Sequence, residues 1–246
     1  MDRLLFVAAN SARHVEHAQA VRAHNLANVS TDGFRGRFAE TFARTIEGDG
    51  LPGRSYGLAR SSGFDFSPGV VRETGNPLDL AVQGQGLFSV QLPDGSEAYT
   101  RSGAFRVDAF GRMINEAGYQ VVGGSGPIVL PPYETLVVAA DGSISVRPAG
   151  QGAETIVQID RLKLVNPSPD EVERTLPGLF TPIEPGLLPG EEAIRVSSGT
   201  LESSNVNAMT ELTEILSLAR RFEVETRLMK SAEQNDEAAS QLLRIG

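Results

Sequence analysis

Three histidines lie in the first segment of the chain, where a helix could present them to a metal ion. His14 and His17 are close at helical spacing, and His24 follows two turns later. Histidine pairs on one helix face are typical zinc ligands. Glu16 is the only acidic residue nearby, however, and His24 is distant from the pair. We therefore interpret this face as a polar surface, exposed or facing another subunit, and predict no metal site.

A glycine pair at Gly84-Gln85-Gly86 is the next candidate, because glycine-rich loops can bind phosphate. Such a loop requires a helix N-terminus directly after it. Here Leu87-Phe88-Ser89-Val90 continues as a strand. The glycines therefore predict a tight bend between two strands, and no cofactor is expected.

Acidic pairs are the last candidates for catalysis, because two carboxyl groups can act as general acid and base. Asp94 with Glu97, and Glu191-Glu192, stand in segments that look like turns and loops, where solvated charge is the usual explanation. No G-x-S-x-G, H-E-x-x-H or Walker pattern occurs. We expect no catalytic residues, no small-molecule substrate and no enzyme activity.

The composition excludes further classes of protein. The 246 residues carry a net charge of -9, which opposes binding to nucleic acid or to anionic membranes. No cysteine is present, so disulfides and thiolate metal sites are excluded. No apolar run approaches the ~20 residues of a membrane span. The apolar run 4–9 is shorter than the core of a secretory signal, so export would need another route.

Both ends of the chain are predicted to be helical. The first helix extends from about Arg3 to Asn28, since no Pro or Gly precedes Gly33. The second begins near Asn205 or Asn207, either of which can cap it. Each helix carries an apolar stripe at heptad-like spacing. The stripe residues are Leu5, Ala8, Ala12, Val15 and Leu26 in the first helix, and Leu212, Ile215, Ala219, Phe222 and Met229 in the second.

An apolar stripe needs a partner, and two partners are possible. The helices can pair with each other inside one subunit, or they can be buried in an array of helices from many subunits. Composition does not distinguish these alternatives. We expect a coiled-coil-like helical domain whose stripes become buried on assembly.

The middle of the chain has the two-residue period of β-strands from Leu78 to about Val196. Turns are expected at Pro93-Asp94-Gly95, at 108–111 and at Asp141-Gly142. No helical segment interrupts the strands, which favours antiparallel pairing. Ile156–Val165 is the longest strand candidate, with a bulge or bend near Asp160. Residues 166–193 are interpreted as a loop.

The predicted fold class is therefore α+β, with a central, mainly antiparallel β domain. We predict three parts. Residues 1–34 and 203–246 form a discontinuous terminal-helix domain, 35–76 form a linker or extended segment, and 77–202 form a β-rich outer domain.

Three segments resemble the signatures of bacterial flagellar rod and hook proteins. They are residues 25–35, residues 74–88 continued by 99–105, and residues 201–207 followed by 220–223. The motif residues are Asn25, Leu26, Ala27, Asn28, Gly33, Phe34, Gly84, Gly86, Phe88, Ser204, Asn205 and Val206. The match covers nearly the whole chain in the right order. His24, Leu87 and Phe222 depart from the usual residues, all conservatively.

Within this family the chain looks most like the proximal rod protein. The short length, the Met1-Asp2 start, and the segments 161–165 and 219–223 carry this likeness. A hook protein would have a much larger middle, and the distal rod protein is the alternative.

The resemblance implies a structural subunit of the flagellar basal body. It implies export through the flagellar type III apparatus without a cleaved signal, and polymerisation in the periplasm beneath a rod cap. The expected partners are copies of the chain and other rod proteins. Paired terminal helices would form the inner tube of a drive shaft, with the β domain outside.

Overall fold

The chain divides into two compact units in the computed structural model, which describes residues 2–45, 55–150, 155–176, 178–184 and 186–244. Unit 1 consists of Met1–Asn28, Gly36–Asp65 and Val206–Gly246. Unit 2 consists of Val29–Arg35 and Phe66–Asn205. The three-part division expected from the sequence stays a prediction.

Unit 1 combines the two terminal helices with a β-hairpin. Its elements are α1 (Asp2–Ala27), β1 (Arg37–Thr45), β2 (Ser55–Phe64) and α2 (Ala208–Arg244). The Oδ1 atom of Asn207 accepts hydrogen bonds from the backbone N–H groups of Met209 (3.0 Å) and Thr210 (3.2 Å). Asn207 is therefore the residue that caps α2. The antiparallel strands β1 and β2 fall in the segment predicted as a linker or extended segment.

The predicted fold class was wrong in one respect. Two helices and a large multi-sheet β region are consistent with α+β, but unit 1 is not a coiled-coil-like pair of helices. The β1–β2 hairpin belongs to the same unit and contacts α1. Moreover, the stripe residues Leu5, Leu212 and Phe222 are 42%, 44% and 39% exposed. Heptad spacing reports that a helix has an apolar face, but it does not specify which neighbour covers that face.

Unit 2 is built from short strands in several sheets. The strands are β3 (Val71–Glu73), β4 (Leu80–Gln83), β5 (Leu87–Gln91), β6 (Glu97–Thr100), β7 (Phe105–Val107), β8 (Met113–Asn115), β9 (Gln120–Val121), β10 (Tyr133–Val138), β11 (Ser143–Pro148), β12 (Val157–Arg161), β13 (Leu164–Val165), β14 (Val172–Leu176), β15 (Leu179–Pro182), β16 (Arg195–Ser198) and β17 (Thr200–Glu202). The largest sheet has the order β14-β15-β6-β5-β9-β8-β7, and β13 also pairs with β5. The other sheets are β10-β11-β12, β16-β4 and β17-β3. Each of these strand pairings is antiparallel.

The three predicted turns are confirmed. Pro93-Asp94-Gly95 connects β5 to β6, residues 108–111 connect β7 to β8, and Asp141-Gly142 lies between β10 and β11. In each turn an aspartate carboxylate accepts a hydrogen bond from a backbone N–H two residues later. These Asx contacts are local, which is why the sequence predicts them well.

Two expectations for the β region were wrong. Residues 166–193 were interpreted as a loop, but they contain the β14–β15 hairpin, which packs on β6 through the pairing of Phe180 with Tyr99. The single strand expected at Ile156–Val165 is split instead. β12 pairs with β11 and β13 pairs with β5, so the chain passes from one sheet to another near Leu162. The register shift opposite Asp160 confirms the predicted irregularity there.

The main core of unit 2 lies between the largest sheet, the three-stranded sheet and the β4–β16 pair. Its buried side chains are Leu80, Val82, Phe88, Phe105, Met113, Val121, Ile128, Leu130, Leu136, Val138, Ile144, Val146, Leu162, Leu164, Ile194 and Val196. The rings of Phe88 and Phe105 meet edge to face at 5.1 Å, a favourable aromatic geometry. Within the described part of the chain, neither helix is long and apolar enough to cross a membrane.

Candidate functional site

The predicted stripe residues do not form one buried seam. Ala8, Ala12 and Val15 are buried, Leu26, Ile215, Ala219 and Met229 are half-buried, and Leu5, Leu212 and Phe222 are exposed. Further large apolar side chains of α2 are also exposed, namely Met209, Leu216, Val224 and Leu228. Exposed large apolar side chains are a feature of interaction sites when they lie together on a surface.

The contact between α1 and α2 includes polar side chains. The hydroxyl of Ser11 donates to Glu225 Oε1 at 2.7 Å, and Arg22 Nη1 lies 3.0 Å from Glu211 Oε1. The motif residue Asn25 links α1 to the hairpin, since its Nδ2 donates to the carbonyl of Arg37 (2.8 Å) and its Oδ1 accepts from the Arg37 N–H (2.9 Å). A buried amide that satisfies both backbone groups fixes where β1 starts.

Unit 2 contains a buried cluster of charges that joins the three signature segments. Arg35 comes from the first segment, Arg101 from the second and Glu202 from the third. The Oε1 atom of Glu202 lies 2.7 Å from Arg35 Nη1, and its Oε2 lies 2.6 Å from Arg101 Nε. All three side chains are 2% exposed. We call these residues the arginine–glutamate triad.

Hydrogen bonds from Arg101 fix the bend between β4 and β5. Its Nη1 donates to the carbonyl of Gly86 (2.5 Å), and its Nη2 donates to the carbonyls of Val82 (2.8 Å) and Gly84 (2.6 Å). Gly84 has a φ of +79°, a conformation that favours glycine. The bend predicted for Gly84-Gln85-Gly86 is confirmed, and the carbonyl groups of the bend accept hydrogen bonds from the guanidinium of Arg101.

The environment of the triad keeps its carboxylate ionised. Burial raises the pKa of Glu202, but the hydrogen bond from the Gly69 N–H (2.7 Å) and the charges of Arg101 and Arg35 outweigh burial and hold this pKa below its usual range. Burial lowers the pKa of Arg101, and the neighbouring Glu202 carboxylate opposes that shift. Arginine stays protonated in proteins, so the triad carries two positive charges and one negative charge.

The motif residues Gly33, Phe34, Ser204 and Asn205 also belong to unit 2. The N–H of Gly33 donates to the backbone carbonyl of Glu202 (2.6 Å), and the N–H of Asn205 donates to the carbonyl of Phe34 (3.3 Å). Gly33 has a φ of +68°, and a Cβ atom there would lie 2.4 Å from the backbone nitrogen of Ser102. Phe34 and Ser204 are buried. The parts of the first and third motif segments that belong to unit 2 are therefore in contact, and Gly33 permits a close backbone approach.

Among the residues that the structure describes, no group of three or more His, Asp or Glu side chains is placed to hold a metal ion.

Comparison with known proteins identifies the family of the chain. Residues 81–146 match the model of the flagellar hook protein FlgE/F/G D1 domain, and residues 197–242 match that of the flagellar basal body rod FlgEFG protein C-terminal region. The chain is 40% identical to the flagellar basal-body rod protein FlgF of Escherichia coli, over 100% of both chains. The chain belongs to the flagellar basal-body rod protein family.

Other relatives agree with this assignment. The chain is 38% identical to the rod protein FlgF of Salmonella typhimurium, over 100% of both chains. Identity is 31% to the rod protein FlgG of Caulobacter vibrioides, over 90% of this chain and 92% of the relative. The predicted likeness to rod proteins, and to the proximal rod protein among them, is confirmed. Membership in this family also confirms a structural role in the flagellar basal body, in association with other rod proteins. The chain is therefore a structural protein and not an enzyme.

Arg35, Arg101 and Glu202 each lie in one of the three signature segments. Their mutual contact was not predicted, although one signal was available: two of the signature segments contain an arginine and the third contains a glutamate. Partners 101 positions apart, as Arg101 and Glu202 are, cannot be found from local periodicity.

Proposed function

We propose that this chain is a proximal rod subunit that polymerises through its terminal helices into the shaft that transmits motor torque. The observation that supports this mode of assembly is the exposed apolar surface of the helices. Leu5 on α1, with Leu212, Leu216 and Phe222 on α2, is left exposed by the rest of unit 1. We assign this surface to contact with a terminal helix of a neighbouring rod subunit.

The energetics favour such an assembly. Burying one Leu or Phe side chain contributes about 1.5–3 kcal/mol, and several are available on each subunit. The stripe residues Ala8, Ala12 and Val15 are already buried in the chain, so we assign them to packing within unit 1. The exposed members of the stripes are then the contacts made on assembly, and rigidity arises from many helices packed together.

The route to the rod follows from the family resemblance. We assign to the chain export through the flagellar type III apparatus without a cleaved signal, and polymerisation in the periplasm beneath a rod cap. Its direct neighbours are then copies of itself and other rod proteins.

The test replaces Phe222 by Asp in a strain that lacks the gene for this chain. Removing one apolar contact weakens assembly about tenfold or more, and a buried carboxylate weakens it further. We expect loss of swimming in soft agar and loss of complete basal bodies, with the variant still folded. Leu216→Asp provides a second variant, because Leu216 is 61% exposed and contributes less to the isolated chain.

Gln234→Asp is the matched control, since it adds the same charge at an exposed polar position of α2. The strain that carries this control variant should swim normally. Normal swimming by both Phe222→Asp and Leu216→Asp would overturn assembly through this surface.

A further inference from the structure

A small cavity in unit 2 lies directly beside the arginine–glutamate triad. Its volume is about 80 Å³, room for a few water molecules or one small ion. It is lined by Arg35, Phe66, Gln85, Gly86, Leu87, Arg101, Asn166, Pro167 and Pro169. Two of these residues are charged, and both are arginines. The cavity is therefore lined by positive charge, two amide side chains and apolar groups.

The charges around this cavity do not balance. Glu202 is the carboxylate that contacts both guanidinium groups, at 2.7 Å from Arg35 and 2.6 Å from Arg101. Two buried arginines with one buried glutamate leave one positive charge. A buried charge without a counter-charge is strongly unfavourable, and a guanidinium does not relieve this by losing its proton. An anion in the cavity removes the imbalance.

Of the two guanidinium groups, that of Arg35 has a donor that remains for an anion. Arg101 directs its N–H groups at Glu202 and at three backbone carbonyls. Arg35 contacts Glu202 through Nη1, but its buried Nε has no hydrogen-bond partner in the described part of the chain. Buried polar groups of native proteins are nearly always paired. Since Arg35 lines the cavity, a ligand bound there can meet this need.

We propose that this cavity is a binding site for a small carboxylate with a single negative charge, held by Arg35. One negative charge neutralises the excess of the triad, whereas a phosphate group with about two charges would reverse it. The planar carboxylate matches the fork of a guanidinium. The same chemistry has two sources, a free carboxylate or an Asp or Glu side chain of a second chain. This site does not depend on the proposed assembly surface of α2.

Thermal unfolding of the full chain tests the site, with sodium acetate as the probe and sodium chloride at equal ionic strength as the reference. Three of the four tyrosines, Tyr99, Tyr119 and Tyr133, lie in unit 2, so tyrosine fluorescence follows that unit. We expect the Tm to rise with acetate and to saturate, by about 5 °C or more at 100 times Kd. No saturable rise, or an equal rise with chloride, would overturn the proposal.

The matched variants are Arg35→Met and Arg106→Met. Arg35→Met leaves a balanced pair of Arg101 with Glu202, so it should fold and lose the acetate response. Arg106→Met removes an exposed arginine of the same unit and should keep the response. If Arg35→Met keeps the response, acetate binds elsewhere and the assignment fails. The wild-type titration decides the question even if Arg35→Met does not fold.

Sedimentation velocity then distinguishes the two sources, with and without saturating acetate at matched ionic strength. If acetate weakens self-association of the wild-type chain, the natural carboxylate is an acidic side chain of a second copy. If self-association is unchanged, the site binds a free carboxylate. Either outcome supports the site, provided that Arg35→Met does not respond.

Discussion

Replacing Glu202 by Gln should destabilise unit 2 more than any other removal of a single charge there. The carboxylate of Glu202 accepts from Gly69 and contacts Arg35 and Arg101, all within 2.7 Å, at 2% exposure. Glutamine keeps the shape and one acceptor oxygen, but it leaves two buried positive charges without a counter-charge. Breaking a buried ion pair in this way destabilises a protein by about 3–5 kcal/mol. Since domains are stable by about 5–15 kcal/mol, about a fifth of the stability or more should be lost.

Urea unfolding followed by tyrosine fluorescence measures this loss. The control is Glu192→Gln, the same chemical change at a side chain that is 89% exposed and 3.7 Å from Arg161. A pair exposed to this degree contributes less than about 1 kcal/mol. Equal unfolding free energies for the two variants would refute the reasoning, because burial and pairing would then have no energetic consequence.

The pH dependence provides a second readout of the same substitution. The folded protein holds the pKa of Glu202 below its usual range. The stability that Glu202 contributes is therefore fully present above its unfolded pKa and is lost as the pH falls through the lower folded pKa. Protonated glutamate resembles glutamine, so the difference between wild type and Glu202→Gln should shrink at acidic pH. A difference that is constant down to the acidic limit would contradict a charge-based effect.

Two further substitutions test the turns and caps. Gly33→Ala should destabilise unit 2 by about 1–3 kcal/mol more than Gly75→Ala, as measured by urea unfolding. Both glycines have a positive φ, but only at Gly33 would the added Cβ meet backbone, 2.4 Å from the nitrogen of Ser102. Equal losses of stability would contradict the close approach. Asn207→Ala should lower the stability of α2 by about 1 kcal/mol, measured by thermal circular dichroism. Asn235→Ala, at an exposed interior position of α2, should be neutral or slightly stabilising, and the same loss at both positions would exclude a capping effect.

The local features of this fold could be predicted from the sequence. Asn207 and the Asp-containing turns satisfy backbone groups within two or three residues of themselves, so their effect does not depend on the rest of the fold. The alternating pattern of β10 and β11 likewise reports a strand with one buried face. Features of this kind follow from residue type and spacing alone.

Contacts between residues that are distant in the sequence determined the features that were predicted wrongly. The segment containing β14 and β15 has a composition typical of loops, but it becomes a hairpin because Phe180 pairs with Tyr99 of β6. The stripe of α2 has heptad spacing, but Phe222 and Leu212 remain exposed while Leu218 is buried. Periodicity identifies an apolar face, and the packing of neighbouring elements determines which part of it is covered.

By itself, the sequence determined the two terminal helices, the antiparallel character of the middle and the membership in the rod family, because these depend on local propensity and on motifs in order. Only the tertiary structure brought Arg35, Arg101 and Glu202 into one buried cluster. The physical reason is that a charged residue and its neighbours in the sequence do not specify which distant residue will pair with it. The backbone contact of Gly33 with Glu202 and the bonds from Arg101 to the β4–β5 bend place the three side chains together, and burial then makes their pairing strong.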